Sequence, residues 1–169
     1  MARIPYADPS ALPADLQEWH AQLPPNSRLF LMVAHAEATA GTLMQLGLQQ
    51  ITQLELPARS RELAANATAA VLGADYLRVR HIPPGDPITP AERDAIYGGD
   101  HSGFTGVDHA VLTFATAVAR GLPVDDATFA SVRAELTDRE IVELLQVVGY
   151  YWMFAQFANV LAIDAQPYA

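Results

Sequence analysis

The amino-acid sequence predicts an all-α fold, and three features support that prediction. Apolar residues recur at helical spacing, the ends of these segments are marked by proline, glycine and capping residues, and no segment alternates apolar and polar residues over the length of a strand. The chain has 169 residues, the length of one ordinary domain. We therefore expect a single helical domain spanning residues 1–169.

The first five helices are predicted at about 12–23, 28–35, 43–53, 58–72 and 75–81. Proline in the first turn begins the first helix, because N–H groups in the first turn have no partner inside the helix and proline lacks that group. Asn26 is expected to cap the second helix. A rough helical period of leucines defines the third. Pro57 begins the fourth and Gly73 ends it. The short fifth helix stops before a proline-rich segment, 83–87.

The last four helices are predicted at about 90–97, 110–120, 127–136 and 138–163. Capping boxes of the Thr-x-x-Glu type at Thr89 and Thr137 begin the first and last of them, and Asp108 and Asp126 are expected to cap the two between. The final helix is apolar nearly all round, so it needs cover on every side. We expect that cover to come from a homo-oligomer; the alternative is a central core helix.

Two residue types are absent from the sequence. Without cysteine, the chain has no disulfide, thiolate nucleophile or cysteine-ligated metal centre. All ten basic residues are arginine, which excludes a Schiff-base lysine and a P-loop lysine. Nineteen acidic residues give a net charge of −9. That acidity argues against nucleic acid and anionic membranes as partners.

A membrane span and a secretory route are not predicted either. The uncharged run 144–163 reaches the length of a span, about 18 residues, but it contains Gln146, Gln156 and Asn159 and no basic residue follows it as an anchor. The N-terminal residues lack the apolar stretch of a secretory signal. We expect a cytoplasmic protein.

Residues suited to acid–base chemistry are concentrated on the fourth and fifth predicted helices. His81 is the natural proton carrier because its ordinary pKa lies near neutrality, and Glu62 can orient it or act as a base. Tyr76 can donate a hydrogen bond to a developing enolate oxygen. Arg78 offers a fork for a substrate carboxylate, and Asp75 can orient that fork.

Each of these residues also has a structural interpretation. Glu62 can simply pair with Arg59 or Arg80. His81 can stabilise the negative end of a helix, and Tyr76 can belong to the core. The charged residues that remain can face solvent or a neighbouring subunit. The other histidines have no metal-ligand spacing, so no metal site is predicted, and the glycine-containing loop 98–106 is expected to cover the pocket.

Four of these positions carry a resemblance to the carboxymuconolactone decarboxylase or alkylhydroperoxidase D-like family. Its redox branch has the pattern Glu-x11-Cys-x2-Cys-x3-His, and Glu62, Ala74, Leu77 and His81 stand at those spacings. The segment Gly149-Tyr150-Tyr151-Trp152-Met153 is similar to the family's final helix. The resemblance covers about residues 26–163.

Because Ala74 and Leu77 replace both cysteines, the chain resembles the cysteine-free branch. This resemblance implies an alkylhydroperoxidase D-like helical fold and a homo-oligomer, either trimer or hexamer. It also implies a cofactor-independent lyase or isomerase that performs decarboxylation, lactone opening, isomerisation or cyclisation on a small oxygenated acid or lactone, without thiol peroxidase activity. The alternative is a non-catalytic protein on the same fold that binds a small molecule or supports assembly. That alternative is favoured by the lost cysteines and by the shortened segment after His81.

Overall fold

The computed structural model describes residues 1–24, 27–81 and 85–165, apart from the side chain of Arg80. Within these ranges every regular element is helical, so the predicted all-α class is confirmed. A 3-10 turn at Pro9–Ala11 precedes the helices, which are α1 (Ala14–Gln22), α2 (Arg28–Val33), α3 (Glu37–Thr52), α4 (Ala58–Val71), α5 (Asp75–Arg80), α6 (Pro90–Gly98), α7 (Gly106–Ala119), α8 (Asp126–Glu135) and α9 (Asp138–Val160).

Both predicted capping boxes are confirmed. At the start of α6 the Thr89 side chain accepts from the Glu92 backbone N–H, while the Glu92 carboxylate accepts from the Thr89 backbone N–H. Thr137 and Glu140 make the same reciprocal pair at the start of α9. Each box satisfies two N–H groups that have no partner inside the helix.

Two predicted N-caps are wrong. Helix α7 has Thr105 as its N-cap, so Asp108 lies inside the first turn, where its carboxylate accepts a hydrogen bond from Arg59 at 2.9 Å. At α8 the capping side chain is that of Asp125, and Asp126 is the first helical residue. The helix dipole favours acidic residues in the first turn as well as at the cap, so residue type alone does not separate the two positions.

Two predicted features lie outside the described residues. One is Asn26, the expected cap of α2, which begins immediately after Ser27. The other is the start of the proline-rich segment after His81, which is described only from Gly85 onward. Within the described part of that segment, Asp86 forms an ion pair with Arg93 of α6.

Helix α4 lies at the centre of the fold. It packs against α5, α6, α7 and α9, and all its residues from 60 to 69 are buried. Four of those ten residues are alanine, and their small side chains let the neighbouring helices approach closely. The polar residues of α4 that remain, including Arg61 and Glu62, are therefore carried into the interior.

Helix α9 is only partly covered within the chain. One face packs against α4 and α7 and is buried. The other carries exposed apolar side chains at helical spacing, which we call the α9 stripe: Val142, Leu145, Trp152 and Val160. A central core helix would be covered on every side, and α9 is not. The α9 helix is nonetheless no membrane span: none of the helices described is long and apolar enough to cross a bilayer.

Candidate active site

A cavity of about 300 Å³ opens beside α5, between α1, α2, α3 and α9. Its walls are mainly apolar and aromatic, including Trp19, Leu29, Phe30, Met44 and Phe154. The volume lies at the lower end of the range for small-molecule sites, which are typically apolar with a few convergent polar groups. Here the polar groups come from α3, α4, α5 and α9.

Glu62, His81 and Tyr151 form a hydrogen-bonded chain that ends at this cavity. The Glu62 carboxylate Oε2 lies 2.8 Å from His81 Nε2. The Tyr151 hydroxyl lies 3.1 Å from the same nitrogen and 3.4 Å from Nδ1, and the two rings meet edge to face at 4.8 Å. His81 and Tyr151 border the cavity, whereas Glu62 lies behind them.

The Glu62 carboxylate is held in its ionised form although only 1% of the residue is exposed. Burial by itself raises the pKa of Glu62, but the hydrogen bond and charge of His81, together with the charge of Arg61, outweigh burial and leave the pKa below its ordinary value. An ionised carboxylate only accepts hydrogen bonds. His81 Nε2 therefore carries a proton and donates it to Glu62, which fixes the orientation of the ring.

The Tyr151 hydroxyl stays protonated for the opposite reason. Burial first, and then the negative charge of Glu62, raises the pKa of Tyr151 well above its ordinary value. A buried phenol of this kind is a proton donor at neutral pH. The site thus combines a fixed carboxylate, an imidazole and a protonated hydroxyl.

Arg61 gives Glu62 a second partner. Its Nε donates to Glu62 Oε1 at 3.2 Å, and its Nη1 lies 3.4 Å from the backbone carbonyl of Gln50. Glu62 therefore pairs with an arginine other than the two named from the sequence. Arg59 binds Glu92 and Asp108 instead, and the side chain of Arg80 lies outside the described residues.

The structure brings only part of the predicted site together. Tyr76 borders the cavity, but its hydroxyl accepts a hydrogen bond from the Leu29 backbone N–H at 3.1 Å, which ties α5 to α2. Arg78 points away from the cavity: it pairs with Asp94 at 3.2 Å and lies over the ring of Tyr97 at 5.1 Å. Its half-exposed fork is not placed to hold a substrate in this cavity.

Asp75 also lies away from the cavity walls, as an exposed first-turn residue of α5. The two positions that match the family's cysteines face inward. Ala74 is fully buried, and Leu77 contributes an apolar side chain to the cavity next to His81. Where the redox branch carries thiols, this chain has hydrocarbon.

The glycine-containing loop after α6 does not cover this cavity, contrary to the expectation. Gly99 and His101 border a second cavity, lined also by residues of α4, α6 and α7. Burial lowers the pKa of His101, and the charge of His109 lowers it further. The parts of the chain described contain no group of three or more histidine, aspartate or glutamate side chains arranged to hold a metal.

Sequence reasoning missed three residues of the site: Arg61, Tyr151 and Gln50. Tyr151 belongs to the Gly-Tyr-Tyr-Trp-Met segment, but two adjacent tyrosines point in different directions on a helix, and the sequence does not say which one meets His81. Tyr150 turns to α3, where its hydroxyl donates to the Leu43 carbonyl at 3.3 Å. Gln50 stands among several glutamines, and no motif distinguishes it.

Comparison with known proteins supports the fold. No protein-family model and no curated protein matches the chain. A solved structure of an alkylhydroperoxidase AhpD core, an uncharacterized peroxidase-related protein from Ralstonia eutropha JMP134, matches with a TM-score of 0.83 and 20% identity, over 98% of this chain and 92% of that one. An uncharacterized peroxidase-related protein from Silicibacter sp. TM1040 matches with a TM-score of 0.78 and 16% identity, over 99% and 94%. At such identities the likeness establishes a shared fold, and the predicted alkylhydroperoxidase D-like helical fold is confirmed.

Proposed function

We propose that the chain is a cofactor-independent enzyme of the cysteine-free branch of the carboxymuconolactone decarboxylase-like family. It performs acid–base chemistry on a small oxygenated molecule: decarboxylation, lactone opening, isomerisation or cyclisation. The observation that carries the proposal is the Glu62–His81–Tyr151 chain, which ends in a largely apolar cavity. With no cysteine in the sequence, thiol peroxidase chemistry has no nucleophile.

The three residues divide the work of proton transfer. Tyr151 takes a proton from the substrate as it passes its own hydroxyl proton to His81 Nδ1, 3.4 Å away, so that no charge is left on the buried phenol; the same two transfers in reverse return the proton to the product. The imidazolium formed when His81 accepts a proton is stabilised by the Glu62 carboxylate at 2.8 Å. Glu62 does not border the cavity and acts as a positioning residue. One such catalytic proton transfer accelerates a reaction by about 10²–10⁴-fold.

The test is proton exchange in deuterated water. Small lactones, enones and keto acids are incubated with the protein, and deuterium incorporation or product formation is followed by proton NMR. We expect at least one class to react, and we expect Tyr151→Phe and His81→Ala to slow that reaction by about 10²-fold or more. Tyr97→Phe is the matched control, because it removes another buried tyrosine hydroxyl outside this cavity. Wild-type rates in both site variants would refute the assignment.

The alternative function is binding without catalysis. It is favoured by the hydrocarbon at Ala74 and Leu77, where the redox branch has its reactive groups. This alternative would be supported over the enzyme if a compound bound the cavity while no compound of the panel showed deuterium exchange or turnover.

We also propose that the protein is a homo-oligomer, a trimer or a hexamer, in the cytoplasm. The supporting observation is the α9 stripe, where Trp152 is 44% exposed and Val142 and Val160 more so. Exposed apolar residues that line up along one helix mark an interaction surface more often than single scattered ones do. Light scattering coupled to size-exclusion chromatography should give three or six chain masses; a single chain mass would refute the proposal.

A further inference from the structure

Gln50 places a buried side-chain amide at the wall of the cavity. The residue is 3% exposed and borders the cavity from α3. Within the described part of the chain, its side-chain Nε2 has no hydrogen-bond partner. Burying such a donor unpaired is unfavourable, and buried polar groups in folded proteins are almost always paired. The donor is therefore a candidate for pairing with a ligand.

The contact between Gln50 and Arg61 uses the backbone of Gln50 and not its side chain. Its backbone carbonyl faces the Arg61 guanidinium at 3.4 Å. The carboxamide is thus not needed for that contact. In the part of the chain that the structure describes, no contact of the Gln50 side-chain nitrogen explains why this wall of the cavity carries an amide.

The charges around the cavity favour an uncharged ligand. Arg61 also borders it, but its charge is balanced by Glu62 at 3.2 Å. Arg78, the fork expected to hold a carboxylate, is turned away to Asp94. A carboxylate in this cavity would lose its hydration without gaining an unpaired cation, which is strongly unfavourable.

We propose that Gln50 binds the substrate by donating a hydrogen bond from Nε2 to the carbonyl oxygen of a small, uncharged and otherwise apolar molecule. The inference rests on the proposed function, because it names the substrate class of the same cavity. Gln50 supplies the polar contact from α3, and His81 and Tyr151 supply the proton-transfer groups. The apolar lining accommodates the rest of the molecule.

The test uses three probes of similar size and different polarity: acetophenone, benzoate and ethylbenzene. Binding to the wild-type protein and to Gln50→Leu is measured by ligand-observed NMR. We expect acetophenone to bind the wild-type protein more tightly than benzoate. We expect Gln50→Leu to weaken acetophenone by about five- to tenfold, the effect of one hydrogen bond, and to leave ethylbenzene unchanged or bound more tightly.

A spectroscopic measurement reports the hydrogen bond directly. The carbonyl stretch of ¹³C-labelled acetophenone should move to lower frequency in the wild-type complex and return toward its apolar-solvent value in Gln50→Leu. Gln49→Leu is the matched control, since Gln49 is the adjacent residue on α3, has the same side chain and is exposed. It should alter neither affinity nor frequency.

Stability separates this role from a structural one. Because Nε2 has no partner among the residues that the structure describes, Gln50→Leu should leave the melting temperature of the free protein unchanged or raise it. A clear loss of stability would mean that Gln50 is a structural residue and would overturn the inference. So would equal effects of Gln50→Leu on acetophenone and ethylbenzene, tighter binding of benzoate, or no acetophenone binding at millimolar concentration.

The two proposals fail in different ways. If acetophenone binding depends on Gln50 but no compound shows exchange, the catalytic proposal fails and the binding role stands. If exchange depends on His81 and Tyr151 but Gln50→Leu changes neither affinity nor carbonyl frequency, the role of Gln50 fails and the catalytic proposal stands.

Discussion

Replacing Glu62 by glutamine tests the electrostatics on which the whole site depends. The substitution keeps the size and shape of the side chain and removes its charge. In the wild-type protein that charge lies 3.2 Å from the Arg61 guanidinium and 2.8 Å from His81 Nε2, with 1% of the residue exposed. Glutamine can still accept one of these hydrogen bonds, but Arg61 then remains a buried cation without a counterion.

The size of the effect follows from that geometry. Coulomb's law with an effective dielectric constant of about 20 gives roughly 5 kcal/mol for unit charges 3.2 Å apart. Breaking a buried ion pair by removing one partner typically costs about 3–5 kcal/mol. Because backbone carbonyls of Gln50 and Ile51 also lie near the Arg61 guanidinium, we expect the lower end, about 3 kcal/mol. For a chain of this length that corresponds to a melting temperature lower by about 6–12 °C.

The loss should depend on pH in a defined direction. The folded-state pKa of Glu62 lies below its ordinary value, so the stability that its charge contributes is fully present above the unfolded-state pKa, about 4.3. It is lost as the pH falls through the lower, folded-state pKa. Calorimetry at pH 5 and at successively lower values should therefore show a difference between Glu62→Gln and wild type that shrinks as the pH falls.

A double-mutant cycle provides the control. In an Arg61→Met background, Glu62→Gln no longer leaves an unpaired cation, and its cost should fall by about 1–3 kcal/mol. The electrostatic argument would be refuted by additive effects in the cycle, by a melting temperature equal to that of the wild type, or by a difference that persists unchanged in strong acid.

Two further predictions concern packing and assembly. In Gly47→Ala the new β-carbon overlaps the Tyr150 hydroxyl, so we expect the free energy of unfolding in urea to fall by about 1–2 kcal/mol, because overpacking exceeds the gain in helix propensity. The control is Gly41→Ala, whose β-carbon meets only ordinary contacts from 3.6 Å outward and which should be neutral or stabilising. Equal changes in stability for the two variants would contradict this prediction. Trp152→Glu places a charge in the α9 stripe and should reduce the mass measured by light scattering to that of one chain. The control is Phe129→Glu, at an exposed phenylalanine on α8, which should leave the oligomer intact. An unchanged mass in Trp152→Glu would locate the interface elsewhere.

The fold was largely predictable because its signals are local. The capping boxes at Thr89 and Thr137 depend on residues three positions apart, and both form as expected. The same locality explains the two errors. Asp108 and Asp126 each occupy a first turn that suits an acidic residue, and the cap falls one or more positions earlier.

The candidate site was predictable only for the residues that one sequence-spacing pattern joins. One spacing pattern joins Glu62 and His81, and the structure places them 2.8 Å apart. Residue type alone favours Tyr76 and Arg78, which lie on the same short helix, where neighbouring side chains point in different directions. Tyr76 contacts α2 and Arg78 contacts α6. No local pattern states which neighbouring helix each side chain will contact.

The sequence by itself determined the helical class, most helix boundaries and the absence of thiol and lysine chemistry, because composition, periodicity and capping are properties of the chain alone. Only the tertiary structure decided that Tyr151, 70 positions from His81, is its neighbour, and that the side-chain Nε2 of Gln50 lies at the cavity wall with no hydrogen-bond partner in the described ranges. It also decided that Arg78 faces away from the cavity. These contacts depend on how α3, α5 and α9 pack around α4. The packing of helices that are distant in sequence depends on the apolar surface that all the helices bury together, and no single segment of the sequence specifies it.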